Sequence, residues 1–172
     1  MPLDHKTELK NLATQCDLRP VKAEDKDLIL EMRNQSHVRE NMLSSGIIQP
    51  EDHKKWFEEL IKANDKAFFI FTYNDEPAGV IGFYDLEKDT ANWSFYLENP
   101  NPPKGLGTIM CSMGLNRIFG RSDISKIRTI VLDKNVKSLR LHERLGFNKI
   151  GQNANMVKLE LDQNTHEEIS LL

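Results

Sequence analysis

Residues 135–147 read NVKSLRLHERLGF, and this stretch decides how the second half of the 172-residue chain folds. Residues 136–145 have the pattern of a helix that follows a predicted strand at 126–132, and this helix ends at a glycine, a residue common just after a helix C-terminus. Two more strands are predicted at 147–151 and 156–161. The second half therefore alternates strand and helix, which is typical of an α/β structure.

Upstream, residues 101–108 read NPPKGLGT and lie between the end of a predicted strand and the start of a predicted helix. Glycines there let backbone N–H groups come close to a ligand, and the helix N-terminus adds unpaired donors and a partial positive charge. A diphosphate suits such a loop. A tight strand-to-helix turn needs the same glycines, so the short GxG pattern alone leaves both interpretations open.

Three consecutive strands precede this glycine loop. Residues 66–73 and 78–86 are rich in apolar residues, residues 74–77 between them are turn formers, and residues 90–97 alternate apolar with polar side chains. Because the connections are short, we expect an antiparallel meander. The Rossmann fingerprint and the phosphate loop GxxxxGKS/T are both absent, so the nucleotide folds built on them are excluded.

The first half of the chain opens with a strand and two helices, which follow from strand alternation and from helical spacing of apolar residues. These elements are a strand at 16–21 and helices at 24–34 and 50–63. No repeat and no composition break divides the chain. We therefore expect one domain over residues 15–161, with residues 1–14 and 162–172 as tails or short caps.

Composition and charge narrow the function classes. Lysine and arginine number 23 against 26 acidic residues, a formal net charge of -3, so no broad basic surface is expected for nucleic acid. The longest apolar run, residues 67–71, is far too short to cross a bilayer, and no leader pattern opens the chain. Two cysteines and five scattered histidines lack metal-site spacing. We expect a soluble, cytoplasmic protein without a metal.

Taken together, the order of elements resembles the GNAT superfamily of acetyl-CoA-dependent N-acetyltransferases over about residues 16–161. The glycine loop and the pattern NxxSxxLHxxLGF carry this resemblance. It implies a layered α/β (α+β) fold with a mixed, mostly antiparallel sheet of about seven strands flanked by about four helices. It also implies acetyl-CoA as the cosubstrate. Pro102 stands where the family usually has Gln or Arg, so one donor is missing and the Pro-rich segment must shape the loop by its rigidity.

The resemblance also implies a cofactor site in two parts, in which the glycine loop binds the pyrophosphate and the preceding strand and the later helix bind the pantetheine arm. The residues carried over in this way are Phe95, Tyr96, Leu97, Pro102, Pro103, Lys104, Gly105, Leu106, Gly107, Thr108, Asn135 and Ser138. The family often has a tyrosine at the position of His142, and that tyrosine commonly protonates the departing thiolate. An imidazole can donate a proton near neutral pH, so we expect His142 to be the general acid, with a packing role as its alternative.

Two further stretches, residues 31–42 (EMRNQSHVRENM) and 48–57 (IQPEDHKKWF), are similar to the nucleotide-sugar branch of the family, which includes the N-acetyltransferase of pseudaminic acid synthesis. This similarity implies a UDP-4-amino-4,6-dideoxy sugar as acceptor. Candidate substrate-binding residues are Arg33, Asn34, Arg39, Met42 and His53. Arginines can bind a diphosphate through charge-assisted hydrogen bonds, although most surface arginines are merely solvated. Ribosomal-protein N-terminal acetyltransferases begin with related segments.

The expected reaction is direct attack of the amine on the acetyl thioester in a ternary complex, with Glu98 as the candidate base, acting directly or through water, and with Glu40 and His53 as further candidates. The amine must lose a proton before it can attack. Cys111 has no adjacent base, so an acyl-cysteine step is not favoured. Three hypotheses stay open: a sugar N-acetyltransferase, a protein or peptide amine acetyltransferase, and a non-catalytic acetyl-CoA-binding module. The expected partner is a small molecule, with no nucleic acid and no membrane, and the chain is expected to be a monomer or homodimer.

Overall fold

The computed structural model describes residues 5–86, 88–121 and 123–169. The helices are α1 (His5–Ala13), α2 (Lys26–Asn34), α3 (Ser36–Arg39), α4 (Pro50–Lys62), α5 (Leu106–Phe119), α6 (Val136–Arg144) and α7 (Gln163–Ile169). The strands are β1 (Cys16–Pro20), β2 (Ala67–Tyr73), β3 (Glu76–Tyr84), β4 (Thr90–Leu97), β5 (Lys126–Leu132), β6 (Asn148–Asn153) and β7 (Met156–Asp162).

All seven strands form one sheet in the order β1-β2-β3-β4-β5-β7-β6. Neighbouring strands are antiparallel except for β4 and β5, which are parallel and joined by α5. The structure confirms the mixed, mostly antiparallel sheet and the α/β class. Its described part has seven helices rather than about four, because the segment after α2 contains the short α3 and because both end segments carry a helix.

The parallel pairing of β4 and β5 is short. It joins Thr90 to Lys126, Ala91 to Ile127 and Asn92 to Arg128, and the register stops there. The Thr129 hydroxyl still donates to the Trp93 carbonyl at 3.3 Å. Beyond this point the two strands separate, so the rest of β4 keeps only β3 as a strand partner among the described residues.

Two hydrophobic cores lie on opposite faces of the sheet. The first core surrounds α5, whose side chains pack on β2, β3 and β4, and the second core lies under α2 and α4. Strand β4 contributes to both, because successive side chains of a strand point to opposite faces. Trp93, Phe95 and Leu97 pack in the first core, whereas Tyr96 packs in the second.

The end segments, expected to be tails or short caps, are helical in the structure over residues 5–13 and 163–169. Leu9 of α1 is 3% exposed and belongs to the first core. In α7, His166 Nε2 lies 2.7 Å from Asn116 Oδ1 of α5. Sequence patterns miss such helices because each has a single buried residue, Leu9 in α1 and His166 in α7, and one residue makes no apolar periodicity.

Candidate functional site

A cleft of about 1000 Å³ opens where β4 and β5 separate. One wall is residues 94–97 of β4, and the opposite wall is residues 129–131 of β5 together with α6. The glycine loop and the residues on and just after α3 also line the cleft. This volume lies at the upper end of the range of small-molecule sites, roughly 300–1000 Å³.

The glycine loop presents backbone donors to the cleft. Gly105 precedes α5 with φ 94°, a left-handed conformation that favours glycine. The Leu106 N–H donates to Pro103 O at 3.1 Å, and the Ile109 N–H makes the first bond of the helix, to Gly105 O at 3.0 Å. The N–H groups of Gly107 and Thr108 therefore precede Ile109, the first donor of the intrahelical hydrogen bonds. Such groups form an anion-binding site at a helix N-terminus.

Strand β4 presents a second row of backbone groups. The Glu98 N–H donates to Ala78 O of β3 at 2.8 Å, so the backbone of alternate residues, Tyr96 included, points to β3. The backbone groups of Phe95 and Leu97 consequently face the cleft. Tyr96 lines the cleft as well, but its phenol is buried behind the strand, and that burial raises the phenol pKa.

The start of α6 adds the third part of the cleft wall. Asn135 is the N-cap, and its side-chain oxygen accepts the Ser138 N–H at 3.2 Å. Both residues line the cleft. The asparagine thus has a local structural role that the sequence pattern did not separate from cofactor binding, because a capping residue and a ligand-binding residue occupy the same place at a helix N-terminus.

His142 is 1% exposed, and its ring contacts the rings of Trp93, Phe95 and Phe147 at centroid distances of 5.6, 5.5 and 4.8 Å. Nδ1 lies 2.8 Å from the Ser138 carbonyl oxygen. A carbonyl oxygen only accepts, so the ring proton sits on Nδ1. Nε2 is then a lone-pair acceptor, buried without a hydrogen-bond partner among the described residues. Burial lowers the pKa of His142 to about 4, so the ring is neutral at pH 7.

The general-acid role of His142 therefore stays a prediction, and it has a structural requirement. In the tautomer that the Ser138 carbonyl selects, Nε2 carries no proton to donate. Proton delivery from Nε2 needs that proton to move off Nδ1. The packing alternative needs no such change, because the ring already fills the space between Trp93, Phe95 and Phe147.

The two arginines of the RN-x-x-x-VR pattern hold the loop of residues 40–49, and neither lines the cleft. Arg33 donates from Nη2 to Ser44 O at 2.9 Å. Arg39 donates from Nε to Asn34 O at 2.9 Å and from Nη1 to Ser45 O at 2.8 Å. Burial lowers the pKa of Arg33. The 40–49 loop is thus fixed through its own carbonyl groups.

Asn34 completes this attachment. Its amide nitrogen donates to Ile48 O, and its amide oxygen accepts the Ile48 N–H, both at 2.9 Å. His53 is 3% exposed and donates from Nε2 to Lys26 O at 2.7 Å, so it ties α4 to α2 outside the cleft. Of the five substrate-binding candidates, Met42 alone lines the cleft in the described part of the chain.

Helix α3 is attached to the last residues of β4. His37, which lines the cleft, donates from Nε2 to the Leu97 carbonyl at 3.2 Å. Gln35 donates its amide to the Glu98 carboxylate at 3.1 Å. Glu98 lies outside the residues that line the cleft, so its expected role as base requires an intervening water. His37 has no sequence signal, since only the fold brings α3 to β4.

Four basic residues line the cleft beside the glycine loop and along α6. They are Lys104, Lys137, Arg140 and Arg144. No ion pair within the described residues joins any of them to a carboxylate, and Glu143 is the one acidic residue on the same walls. The sequence analysis predicted only Lys104. The other three lie at i, i+3 and i+7 on one face of α6, and this spacing is the signal that could have identified them.

The predicted cofactor residues are brought together with one exception. Residues 95–97, 102–105, 107, 108, 135, 138 and 142 line the cleft, whereas Leu106 is 2% exposed and packs in the first core. In residues 5–86, 88–121 and 123–169, no three His, Cys, Asp or Glu side chains are grouped to hold a metal ion. Over the same residues, no helix has the length and apolarity needed to span a membrane.

Comparison with known families finds a match to the acetyltransferase (GNAT) domain over residues 16–148. The chain is 31% identical over 101 residues to the SPbeta prophage-derived uncharacterized N-acetyltransferase YokL of Bacillus subtilis (strain 168), covering 58% of this chain and 57% of that one. It is 24% identical over 121 residues to the acetyltransferase PseH of Campylobacter jejuni subsp. jejuni serotype O:23/36 (strain 81-176), covering 70% and 75%. The chain therefore spans little more than half the length of YokL.

Among solved structures, the spermidine N-acetyltransferase from Vibrio cholerae, in complex with CoA and spermine, superposes with a TM-score of 0.80. The two share 16% sequence identity, and the match covers 90% of this chain and 99% of that one. At this identity the likeness establishes the fold alone.

Gly107 gives the first test of the cleft as a CoA site. A Cβ there would lie 3.6 Å from Leu97 Cδ1 and 3.7 Å from Leu141 Cδ2, which are ordinary contacts. Gly107→Ala should therefore keep or raise the free energy of unfolding, by up to about 0.5–1 kcal/mol, because alanine has the higher helix propensity. Gly107→Val should weaken CoA binding at least about tenfold, the loss of one hydrogen bond to a charged group. Calorimetric titration with CoA measures this, and unchanged affinity in folded Gly107→Val would remove the loop from the site.

His142 gives the second test. With the proton held on Nδ1, we expect His142→Phe to lower kcat less than about tenfold, because a lost general acid typically costs 10²-fold or more. The parent enzyme should also show no activity change from this ring between pH 6 and 8, since a pKa of about 4 keeps it neutral there. Steady-state rates across that range measure both. A loss of about 10²-fold in His142→Phe that His142→Tyr restores would instead establish the general-acid role.

Proposed function

This chain belongs to the GNAT acetyltransferase family, and we propose that its acceptor is the 4-amino group of a UDP-4-amino-4,6-dideoxy sugar, as in pseudaminic acid-type synthesis. The enzyme is an acetyl-CoA-dependent N-acetyltransferase, with acetyl-CoA as its cosubstrate. The observation that carries the proposal is the shortage of carboxylates in the cleft: its described walls hold Glu143 as the one acidic residue beside four basic residues, so they do not suit a polycationic acceptor.

The walls of the cleft fit CoA in three places. The first-turn N–H groups of Gly107 and Thr108 suit the pyrophosphate. The outward-facing backbone of Phe95 and Leu97 suits the amide groups of the pantetheine arm, because amides pair with a strand edge as another strand would. The basic residues of α6 suit the remaining phosphate. In this proposal Asn135 and Ser138 lie beside the arm at the start of α6.

The proposed reaction is a single transfer. The neutral amine attacks the thioester carbonyl, the new C–N bond forms, the C–S bond breaks, and the thiolate takes a proton from water to give CoA. The proton lost by the amine passes to Glu98 through water. The outward-facing N–H groups of β4 are the proposed donors to the carbonyl oxygen, where negative charge develops.

The described part of the cleft wall on and after α3, which we propose faces the acceptor, holds no Lys, Arg, Asp or Glu side chain. Its lining residues on and after α3 are His37, Val38, Asn41 and Met42. A polycationic amine requires carboxylates for recognition, and the walls offer Glu143 alone, on α6. A nucleotide sugar needs no carboxylate for its recognition, and its diphosphate meets no negative charge on the α3 wall, so it suits this cleft better than a polyamine. The similarity to PseH, although only 24% identical, supports the same branch.

A protein N-terminal amine is the second candidate acceptor. The 40–49 loop next to Met42 exposes Leu43 by 57% and Ile47 by 63%. Exposed apolar side chains at the edge of a cleft favour contact with a peptide. This observation keeps the protein-acetylating alternative in the comparison.

Turnover of acetyl-CoA, followed as release of free thiol, tests the acceptor. The panel contains a UDP-4-amino-4,6-dideoxy sugar, the same amino sugar without UDP, spermidine and a peptide with a free N-terminal amine. We expect the highest kcat/KM for the UDP sugar and a loss of at least about tenfold without UDP, the effect of one charge-assisted hydrogen bond. A faster reaction with spermidine or the peptide would overturn the proposal, as would thiol release with none of the four.

Arg39 gives a further prediction for the acceptor side. Arg39→Ala removes the hydrogen bond to Ser45 O that holds the 40–49 loop and the hydrogen bond to Asn34 O at the end of α2, so the wall near Met42 should loosen. We expect KM for the acceptor to rise about three- to tenfold while KM for acetyl-CoA stays within twofold, because lost ground-state binding appears in KM. Initial rates with each substrate varied measure the split. The control is Lys54→Ala, an exposed cation of α4, and a rise confined to KM for acetyl-CoA would place Arg39 on the cofactor side.

A further inference from the structure

Gly105, the residue where the glycine loop turns into α5, is in contact with α1. A Cβ at Gly105 would lie 2.6 Å from Leu9 Cδ2, closer than real Cβ contacts. The leucine methyl group therefore packs directly against the glycine backbone and leaves no room for a side chain. Leu9 is 3% exposed. The nearest atom of another α1 residue, Leu12 Cδ2, lies 3.9 Å from the same Cβ position. One side chain thus makes the close contact between α1 and the loop.

Helix α1 has few other buried contacts that stabilise it. Its nine residues, His5–Ala13, precede the region that matches the GNAT family, which begins at residue 16. Leu9 is its single buried residue, with Leu12 and Ala13 partly buried beside it. A helix of this length is marginal in water by itself, so its packing on the loop and α5 holds it in place.

We propose that Leu9 is a positioning residue for acetyl-CoA, which holds the Gly105 backbone in the conformation that aims the first-turn N–H groups of α5 into the cleft. Glycine adopts positive and negative φ almost equally readily, so Gly105 at φ 94° needs an external constraint to keep one conformation. The methyl group of Leu9 supplies it. Fixing the donors before the ligand arrives lowers the entropic cost of binding.

This inference rests on the proposed placement of the pyrophosphate on the glycine loop. It adds to that placement a residue from outside the family domain. The consequence is that the affinity for CoA depends on the docking of α1, although α1 itself does not line the cleft.

Leu9→Ala tests the proposal, with Leu60→Ala as the matched control. Leu60 belongs to α4, is 6% exposed and packs in the second core. The same substitution there removes a similar buried side chain at a place remote from the glycine loop. Both variants should lower Tm by about 5–15 °C, the usual result of a large-to-small change in a core. At 15 °C, where both are folded, calorimetric titration measures the dissociation constant for CoA.

We expect Leu9→Ala to weaken CoA binding at least fivefold and Leu60→Ala to change it less than twofold. Leu9→Met, which keeps the volume and reach of the side chain, should restore affinity to within twofold of the parent. Leu9→Val removes the terminal methyl reach with less loss of volume, and it should weaken CoA in the same direction even if Leu9→Ala does not fold. An equal change in Leu9→Ala and Leu60→Ala, or none in either Leu9→Ala or Leu9→Val, would overturn the proposal.

Gly107→Val distinguishes a failure of the Leu9 positioning role from a failure of the proposed pyrophosphate site. If Gly107→Val loses CoA binding but the Leu9 variants keep it, the loop binds the pyrophosphate and the positioning role of Leu9 is wrong. If Gly107→Val also keeps full affinity, the placement of the pyrophosphate on the loop is itself wrong.

Discussion

The site depends on the early end of the parallel pairing between β4 and β5. After Asn92 and Arg128 the strands separate, and the backbone of Phe95 and Leu97 faces a gap instead of a neighbouring strand. Unpaired backbone groups away from water are costly, so the fold must satisfy them in another way. Thr129 takes the first carbonyl beyond the paired residues, at Trp93, and His37 takes the last, at Leu97. The groups between them are available to an amide-bearing ligand.

The same topology brings the polar ends of two helices to this gap. In a parallel strand-helix-strand unit, each helix that follows a strand begins near the carboxyl edge of the sheet. Helix α5 follows β4, and α6 follows β5. Their N-termini, with the free donors of Gly107 at one and the cap of Asn135 at the other, therefore meet at the place where the strands part. A gap in the sheet and two converging helix ends together make a binding site for an extended anionic molecule.

Local sequence signals found the parts of this site that depend on backbone conformation. The glycine loop between a strand and a helix and the antiparallel meander were predicted from spacing and confirmed in the structure, whereas the capping role of Asn135 was not predicted. Side chains whose partners are distant were not found in this way. A pattern containing Arg33 and Arg39 cannot tell a ligand phosphate from the carbonyl groups of the 40–49 loop, and both are acceptors that a guanidinium takes equally well. His37 and Thr129 became visible only through topology.

The burial of His142 bears on how much help the leaving thiolate needs. Moving its proton from Nδ1 to Nε2 would place a ring lone pair against the Ser138 carbonyl at 2.8 Å, which is electrostatically unfavourable. The demand for an acid is, however, modest, because a thiol such as that of cysteine has a pKa of roughly 8.5, only about 1.5 units above neutral pH. Water can protonate such a leaving group after the C–S bond breaks. A ring at position 142 that only packs between Trp93, Phe95 and Phe147 is thus compatible with catalysis. The rate depends more on the groups that bind the thioester and stabilise its developing negative charge than on a general acid.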